Sequence, residues 1–187
     1  MTFRTILPSL PTPFEINHTH KIFCIGSCFA EHMVQKFQQS QFKVTPSPFG
    51  IVFNSLSIAR QLSAILDQDL ILEEDLVYFD HLYHSMLHHG SSSNHDPKTM
   101  LHVLNKHLVQ SNAALVESDI VLITLGSSFY YRMKESGKIV SNCHRLPQEL
   151  FTKEQASVED MVLRFSQMMN RLLKLKTKKK LIFTVSP

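Results

Sequence analysis

Ser27 and Cys28 are two nucleophile-capable side chains set side by side directly after Gly26, and that glycine closes a short apolar run of Ile22, Phe23, Cys24 and Ile25. A hydroxyl or thiol in such a place can attack an acyl carbon if a base, an oxyanion hole and a fixed orientation are supplied. The chain itself supplies orientation. The apolar run reads as a strand buried on both faces, and from Phe29 the pattern turns helical, with Phe29, Met33 and Phe37 spaced by four. A tight turn at Gly26 then lifts Ser27 and Cys28 to the carboxyl edge of a sheet. Open α/β sheets place their ligands at that edge, and helix N-terminal N–H groups there favour a thiolate or an oxyanion. Ser27 in the same position also reads as an ordinary helix N-cap.

Other polar residues are candidates for the same edge. Asp119 to Leu125 is a second buried strand, rich in β-branched residues, and it ends at Gly126 much as the first ends at Gly26. Gly50 closes the loop Pro46-Ser47-Pro48-Phe49-Gly50, and Asn54 can cap a helix carrying Leu56, Ala59, Leu62 and Leu66. Asn142 and His144 follow an expected hairpin around Glu135-Ser136-Gly137 and enter a loop at the edge marked by Gly126, as candidates for substrate or oxyanion contact. Eleven histidines raise the question of a metal, centred on His81, His84, His88 and His89 beside Asp80. Their spacing is loose, and no HExxH or paired cysteine accompanies them, so no metal and no cofactor is expected. Asp80 and His84 carry the letters of an acid–base pair, though in the middle of the chain. His18 and His20 are assigned no role.

Gly26-Ser27-Cys28-Phe29-Ala30 reproduces the signature that names the GSCFA family, which is grouped with the SGNH (GDSL-like) hydrolases. Pro48-Phe49-Gly50-Ile51 with Asn54, Thr124-Leu125-Gly126, Asn142-Cys143-His144-Arg145-Leu146-Pro147 and Thr184-Val185-Ser186-Pro187 resemble that family in the same order, so the similarity spans nearly the whole chain. The resemblance implies a three-layer α/β/α, flavodoxin-like domain of the SGNH-hydrolase type with a mainly parallel sheet. It implies a hydrolase or acyltransferase acting on an ester, with a carbohydrate-linked acyl group as the expected substrate. In the GDS pattern of the wider superfamily the nucleophile stands two positions after the glycine. That position here is Cys28, with Ser27 where Asp normally stands, so Cys28 is preferred and Ser27 is the alternative. The superfamily's oxyanion donors are a backbone N–H at the nucleophile, a second-block Gly, which Gly50 resembles, and a third-block Asn. The resemblance also implies that His84-Ser85 lines the cleft, as the corresponding region of the family does. Gly126 resembles the third-block Gly, but Ser128 occupies the spacing of the Asn. The missing donor is therefore expected from Asn142, Asn54 or the Ser128 hydroxyl. Proteins of this kind continue past the Ser-Pro with a His and an Asp, so the general base is expected beyond residue 187 and the chain is expected to be C-terminally incomplete.

Composition frames these expectations. The chain has 187 residues, 43% of them hydrophobic and 19% charged, with eight Met and thirteen Phe to fill a core. The reading is an extended, proline-containing arm over residues 1–20 and a single α/β domain over 21–187. Further expected elements are a short strand from Phe42 to Thr45, a strand at Leu76–Phe79 followed by a His-rich loop, and a helix from Pro97 to about Glu117. A capping box at Ser157 opens a helix on Met161, Phe165, Met168, Leu172 and Leu173, and Leu181–Val185 reads as a buried final strand. A formal charge of +3, much of it in Lys174, Lys176, Lys178, Lys179 and Lys180, is explained by a solvated helix end. No aromatic residues interleave with those lysines, which argues against nucleic acid. Three cysteines, Cys24, Cys28 and Cys143, form no disulfide framework, and no secretory leader or membrane-length apolar run is visible, so a cytoplasmic setting is expected. The partner expected is a small-molecule or carbohydrate ester; the sequence does not specify an oligomeric state. Two rivals remain: a non-catalytic ligand- or carbohydrate-binding module that keeps the cleft, and a thiol-based redox protein, which Cys24 is badly placed to support.

Overall fold

Alternation along β1 (Lys21–Gly26) sets the layers, since Ile22 and Cys24 pack to one side while Phe23 and Ile25 pack to the other. The computed structural model describes residues 13–175 and 178–185. Within them, β1 lies between β2 (Lys43–Pro46) and β5 (Ile120–Leu125), and β9 (Lys180–Val185) flanks β5, giving a parallel sheet in the order β2-β1-β5-β9. The strand order runs second, first, third, fourth along the chain, as in flavodoxin-like sheets. One face is covered by α1 (Cys28–Gln39), whose Val34 joins Ile22, Cys24, Ile120 and Leu122. The other carries α2 (Ser55–Asp67), α3 (Pro97–Glu117) and α4 (Val158–Leu173), which enclose Phe23, Ile25, Val121 and Ile123. The result is a three-layer α/β/α arrangement with one helix on one side and three on the other.

The helix starts follow from local chemistry. Asn54 Oδ1 accepts from Ser57 N–H at 2.7 Å, Asp96 Oδ2 from Thr99 N–H at 2.8 Å, and Ser157 Oγ from Asp160 N–H at 3.0 Å. Pro97 stands at the first position of α3, where a missing N–H costs nothing. Two antiparallel additions decorate this frame. β3 (Leu76–Phe79) and β4 (Leu82–Ser85) form a hairpin, and β6 (Phe129–Met133) pairs with β7 (Ile139–Val140) on one side and β8 (Phe151–Gln155) on the other.

Several sequence expectations are corrected here. The segment after Phe79 is not a loop but a tight turn at Asp80 and His81, both at positive φ (48° and 62°), that returns the chain as β4. Phe29 is 44% exposed, and the buried face of α1 is built on Ala30 and Val34, with Met33 and Phe37 only partly covered. Leu173 is 57% exposed at the end of α4. Among the described residues β9 lies at the edge of the sheet with Phe183 and Val185 exposed, not buried on both faces. Lys179 is buried rather than solvated, and its ammonium donates to the carbonyls of Val116 (3.0 Å) and Ser118 (2.6 Å) at the C-terminal end of α3. Of the N-terminal arm, residues 1–12 lie outside the described residues. Beyond them, Phe14 and Ile16 pack on the α1 face, and His18 stacks on Phe42 at 4.2 Å. Lys176, Ser186 and Pro187 also lie outside the described residues.

Candidate functional site

Gly26 shapes the turn after β1. Its φ is +133°, and a Cβ there would sit 2.1 Å from the Thr124 carbonyl oxygen, so only glycine allows β1 and β5 to approach this closely. Thr124 then holds the next residue: Ser27 N–H donates both to the Thr124 carbonyl (3.1 Å) and to Thr124 Oγ1 (2.7 Å). Ser27 Oγ lies 3.0 Å from the same Thr124 Oγ1, and Ser27 is 2% exposed. Although Ser27 occupies the N-cap position of α1, its side chain makes no capping hydrogen bond. Cys28 is the first residue of α1 and is exposed. The two candidate nucleophiles thus differ sharply, one pinned against β5 and the other open at the helix N-terminus.

Neighbouring backbone knits the second and third blocks to this turn. Ser47 N–H donates to the Cys24 carbonyl (2.8 Å), Val52 N–H to the Gly26 carbonyl (2.9 Å), and the N–H groups of Gly126 and Ser127 both to the Phe53 carbonyl (3.0 and 2.9 Å). Gly126 lies against Ser27, a Cβ built there falling 3.1 Å from Ser27 Cβ. A cavity of about 260 Å³ opens between α1 and the segment after β2, lined by Ser27, Glu31, Gln35, Gln38, Ser47 and Gly50 among others. Cys28 is not part of its wall. Gly26, Ser27, Gly50 and Gly126 are therefore brought together at the carboxyl ends of β1 and β5, the point where the strand order reverses. Thr124 carried no role in the sequence reading; its hydroxyl among the aliphatic residues of β5 was the available signal.

The remaining candidates sit elsewhere. Asn54 Oδ1 serves as the N-cap of α2, and Asn54 forms an isolated parallel bridge with Ser127. Ser128 Oγ accepts from Gln155 Nε2 at 3.3 Å, next to β8. Asn142 Oδ1 accepts from His144 N–H (2.8 Å), and Asn142 lines a separate cavity beside the β6–β8 sheet. His144 is buried, with Nε2 2.9 Å from the Ser85 carbonyl and Nδ1 without a hydrogen-bond partner among the described residues. Its ring lies 4.7 Å from that of His84, which is itself buried between Ser93 Oγ (2.7 Å) and the Phe79 carbonyl (3.0 Å). With both ring nitrogens so engaged, His84 does not pair with Asp80. Ser85 Oγ and His88 Nδ1 are 2.8 Å apart, and burial, aided by His144 and His107, pushes the His88 imidazole down to about 3. His144 is likewise lowered, chiefly by burial. This histidine group touches the second block: His88 packs on Phe49 at 4.6 Å, His89 N–H donates to the Phe49 carbonyl (2.8 Å), and a Cβ on Gly50 would fall 2.8 Å from His89 Cβ.

All three cysteines are free, and burial pushes the Cys24 thiol up to about 12, which leaves it inert at neutral pH. Among the described residues, no group of three or more His, Cys, Asp or Glu side chains is arranged to hold a metal ion, and no helix is long and apolar enough to cross a membrane. The model of the GSCFA family matches residues 21–187, from the first residue of β1 onward. This chain belongs to the GSCFA family. Comparison with curated proteins and with solved structures found no match. The family signature, Gly26 to Ala30 in this GSCFA protein, coincides with the turn and first residues of α1 described above.

Proposed function

We propose that this GSCFA protein is an acyl hydrolase or acyltransferase of the SGNH type, acting on an ester whose acyl group is carried by a carbohydrate. The observation that supports this most is the junction of the Gly26-Ser27-Cys28 turn with Gly50 and Gly126 at the carboxyl edge, beside a cavity. Cys28 is the better nucleophile of the two. Thr124 takes up both the N–H and the hydroxyl of Ser27, whereas Cys28 is exposed at the start of α1. Of the first-turn N–H groups, that of Ala30 is taken by the Ser27 carbonyl (2.8 Å), which leaves those of Cys28 and Phe29 as the candidate donors. In this reading the Cys28 thiol loses its proton to water as its sulfur bonds to the acyl carbon, the N–H groups of Cys28 and Phe29 receive the oxyanion, and collapse breaks the ester C–O bond, the departing alkoxide taking a proton from water. Water or a second alcohol then attacks the thioester and regenerates the thiol. Ser27 positions the turn through Thr124. The unpaired cysteines suit a reducing compartment such as the cytoplasm.

One observation favours the rival, a binding module that keeps the cleft without the chemistry. Among the described residues, no imidazole or carboxylate hydrogen-bonds Ser27 or Cys28. The two readings separate on p-nitrophenyl acetate, with wild type, Cys28→Ala and Ser27→Ala compared and the acylated residue mapped by mass spectrometry. Turnover with an adduct on Cys28, lost in Cys28→Ala, is expected. An adduct on Ser27 would reverse the assignment, and no adduct or turnover in any version would favour the binding module.

A further inference from the structure

The cavity beside the β6–β8 sheet is separate from the Ser27 pocket and larger, about 600 Å³, within the range of small-molecule sites. Its wall includes Arg145, Lys153, Asn142, Gln148, Tyr131 and Phe151, and among the described residues no Asp or Glu contributes to it. The other cations with carboxylate partners form a contrast: Lys21 pairs with Glu117, Arg132 with Glu154, Lys138 with Asp75 and Arg171 with Asp67. Arg145 and Lys153 form no ion pair among the described residues, so two positive charges without a carboxylate partner line one concavity.

The backbone that carries Arg145 is fixed, and Lys153 has an aromatic neighbour. His144 and Arg145 are consecutive non-glycine residues at positive φ (49° and 60°), an uncommon arrangement that persists only where surroundings enforce it. The anchors are evident: Asn142 Oδ1 accepts from His144 N–H (2.8 Å), the His144 ring is fixed inward on the Ser85 carbonyl (2.9 Å), and Leu146 N–H donates to the Cys143 carbonyl (2.9 Å). With His144 turned into the core, Arg145 is turned out to solvent at the cavity. Lys153 Nζ rests 4.6 Å from the centroid of the Phe129 ring, which steadies a side chain that is otherwise flexible. Tyr131, 40% exposed, and Phe151 add aromatic wall beside the charges.

We propose that this cavity binds a phosphate monoester attached to a ring, with the Arg145 guanidinium forking onto the phosphate, Lys153 as a second charge and Tyr131 against the ring. Arginine's planar donor pair matches phosphate oxygens two at a time, and lysine adds charge without directional demand. Asn142 and Gln148 supply neutral polar groups at the same wall. The site does not depend on acyl chemistry at Cys28.

The test is calorimetric titration of the full chain with phenyl phosphate, with inorganic phosphate, phenol and benzoate titrated in parallel. Phenyl phosphate is expected to bind at least about tenfold tighter than any of the other three. Arg145→Gln and Lys153→Gln should each weaken it about tenfold or more, and added salt should weaken wild type in the same direction. The thermal midpoint of both variants should stay at the wild-type value, and Cys28→Ala should bind as wild type does, which separates this site from the acyl reading. Absence of saturable binding below about 10 mM, or equal affinity in the Arg145→Gln/Lys153→Gln double variant, would overturn the proposal. Benzoate binding more tightly than phenyl phosphate would overturn the phosphate assignment.

Discussion

Gly26 does what no other residue can do at the turn, because its φ of +133° and the 2.1 Å from a would-be Cβ to the Thr124 oxygen forbid a side chain. Gly26→Ala must therefore push β1 away from β5 or rotate the turn, and either movement breaks the paired hydrogen bonds from Ser27 N–H to Thr124. The expected cost is at least about 3 kcal/mol, at the upper end for single substitutions, read as a fall in the denaturant midpoint. A loss under about 1 kcal/mol would mean that the turn has slack and that the glycine serves approach of a ligand instead. The signature was legible in sequence as a strand-to-helix turn. The division of labour between Ser27 and Cys28 was not, because it depends on Thr124, 97 residues away in the chain and brought near only by the β1–β5 pairing.

Elements with strong local punctuation were legible, and those decided by distant partners were not. Pro97 marked the start of α3, and Asn54 and Ser157 marked α2 and α4, because each of these caps is satisfied within three residues. β8 went unseen since Phe-Thr-Lys-Glu-Gln has one apolar residue. It is a strand because it pairs along β6, where Arg132 Nε donates to Glu154 Oε1 at 2.9 Å. Phe29 misled the helical pattern because the burial of α1 is set by where the sheet lies, not by the largest side chain. The double reading of Asn54, cap or oxyanion donor, can be separated at this scale. Aspartate keeps the capping oxygen and loses the amide donor, whereas alanine loses both. If Asn54 acts only as a cap, Asn54→Asp should retain near wild-type stability and p-nitrophenyl acetate turnover, while Asn54→Ala costs about 1 kcal/mol in a denaturant titration. A stable Asn54→Asp with turnover reduced more than about tenfold would instead make the amide an oxyanion donor.

Three buried histidines and the partly exposed His89 tie three parts of the molecule together: the β3–β4 hairpin through His84, the loop after β7 through His144, and the Phe49–Gly50 loop through His88 and His89. Among the described residues, no carboxylate acts on His88. Ser85 is its hydrogen-bonded neighbour, and His144 and His107 are the charges that act on it, both of them opposing protonation. The folded state thus keeps His88 neutral down to about 3, while the unfolded chain protonates near 6.5. Between those values the unfolded state binds the extra proton, so stability is fully present above pH 6.5 and drains as the pH falls toward 3, by up to about 1.4 kcal/mol per unit for this group. His144, lowered in the same direction, adds to the slope. Denaturant unfolding followed from pH 7.5 to 4.5 should show a steady loss. His88→Asn, which retains a polar partner for Ser85 without an imidazole, should start lower at pH 7.5 but fall less steeply. Because His88 packs on Phe49 and His89 N–H donates to the Phe49 carbonyl, acid should loosen the Gly50 side of the Ser27 cavity before the sheet. Hydrogen exchange at His89 N–H should therefore accelerate at a higher pH than exchange within β5. Equal slopes for wild type and His88→Asn, or acid-induced exchange beginning in β5, would remove the histidines from the account and leave acid unfolding to the carboxylates.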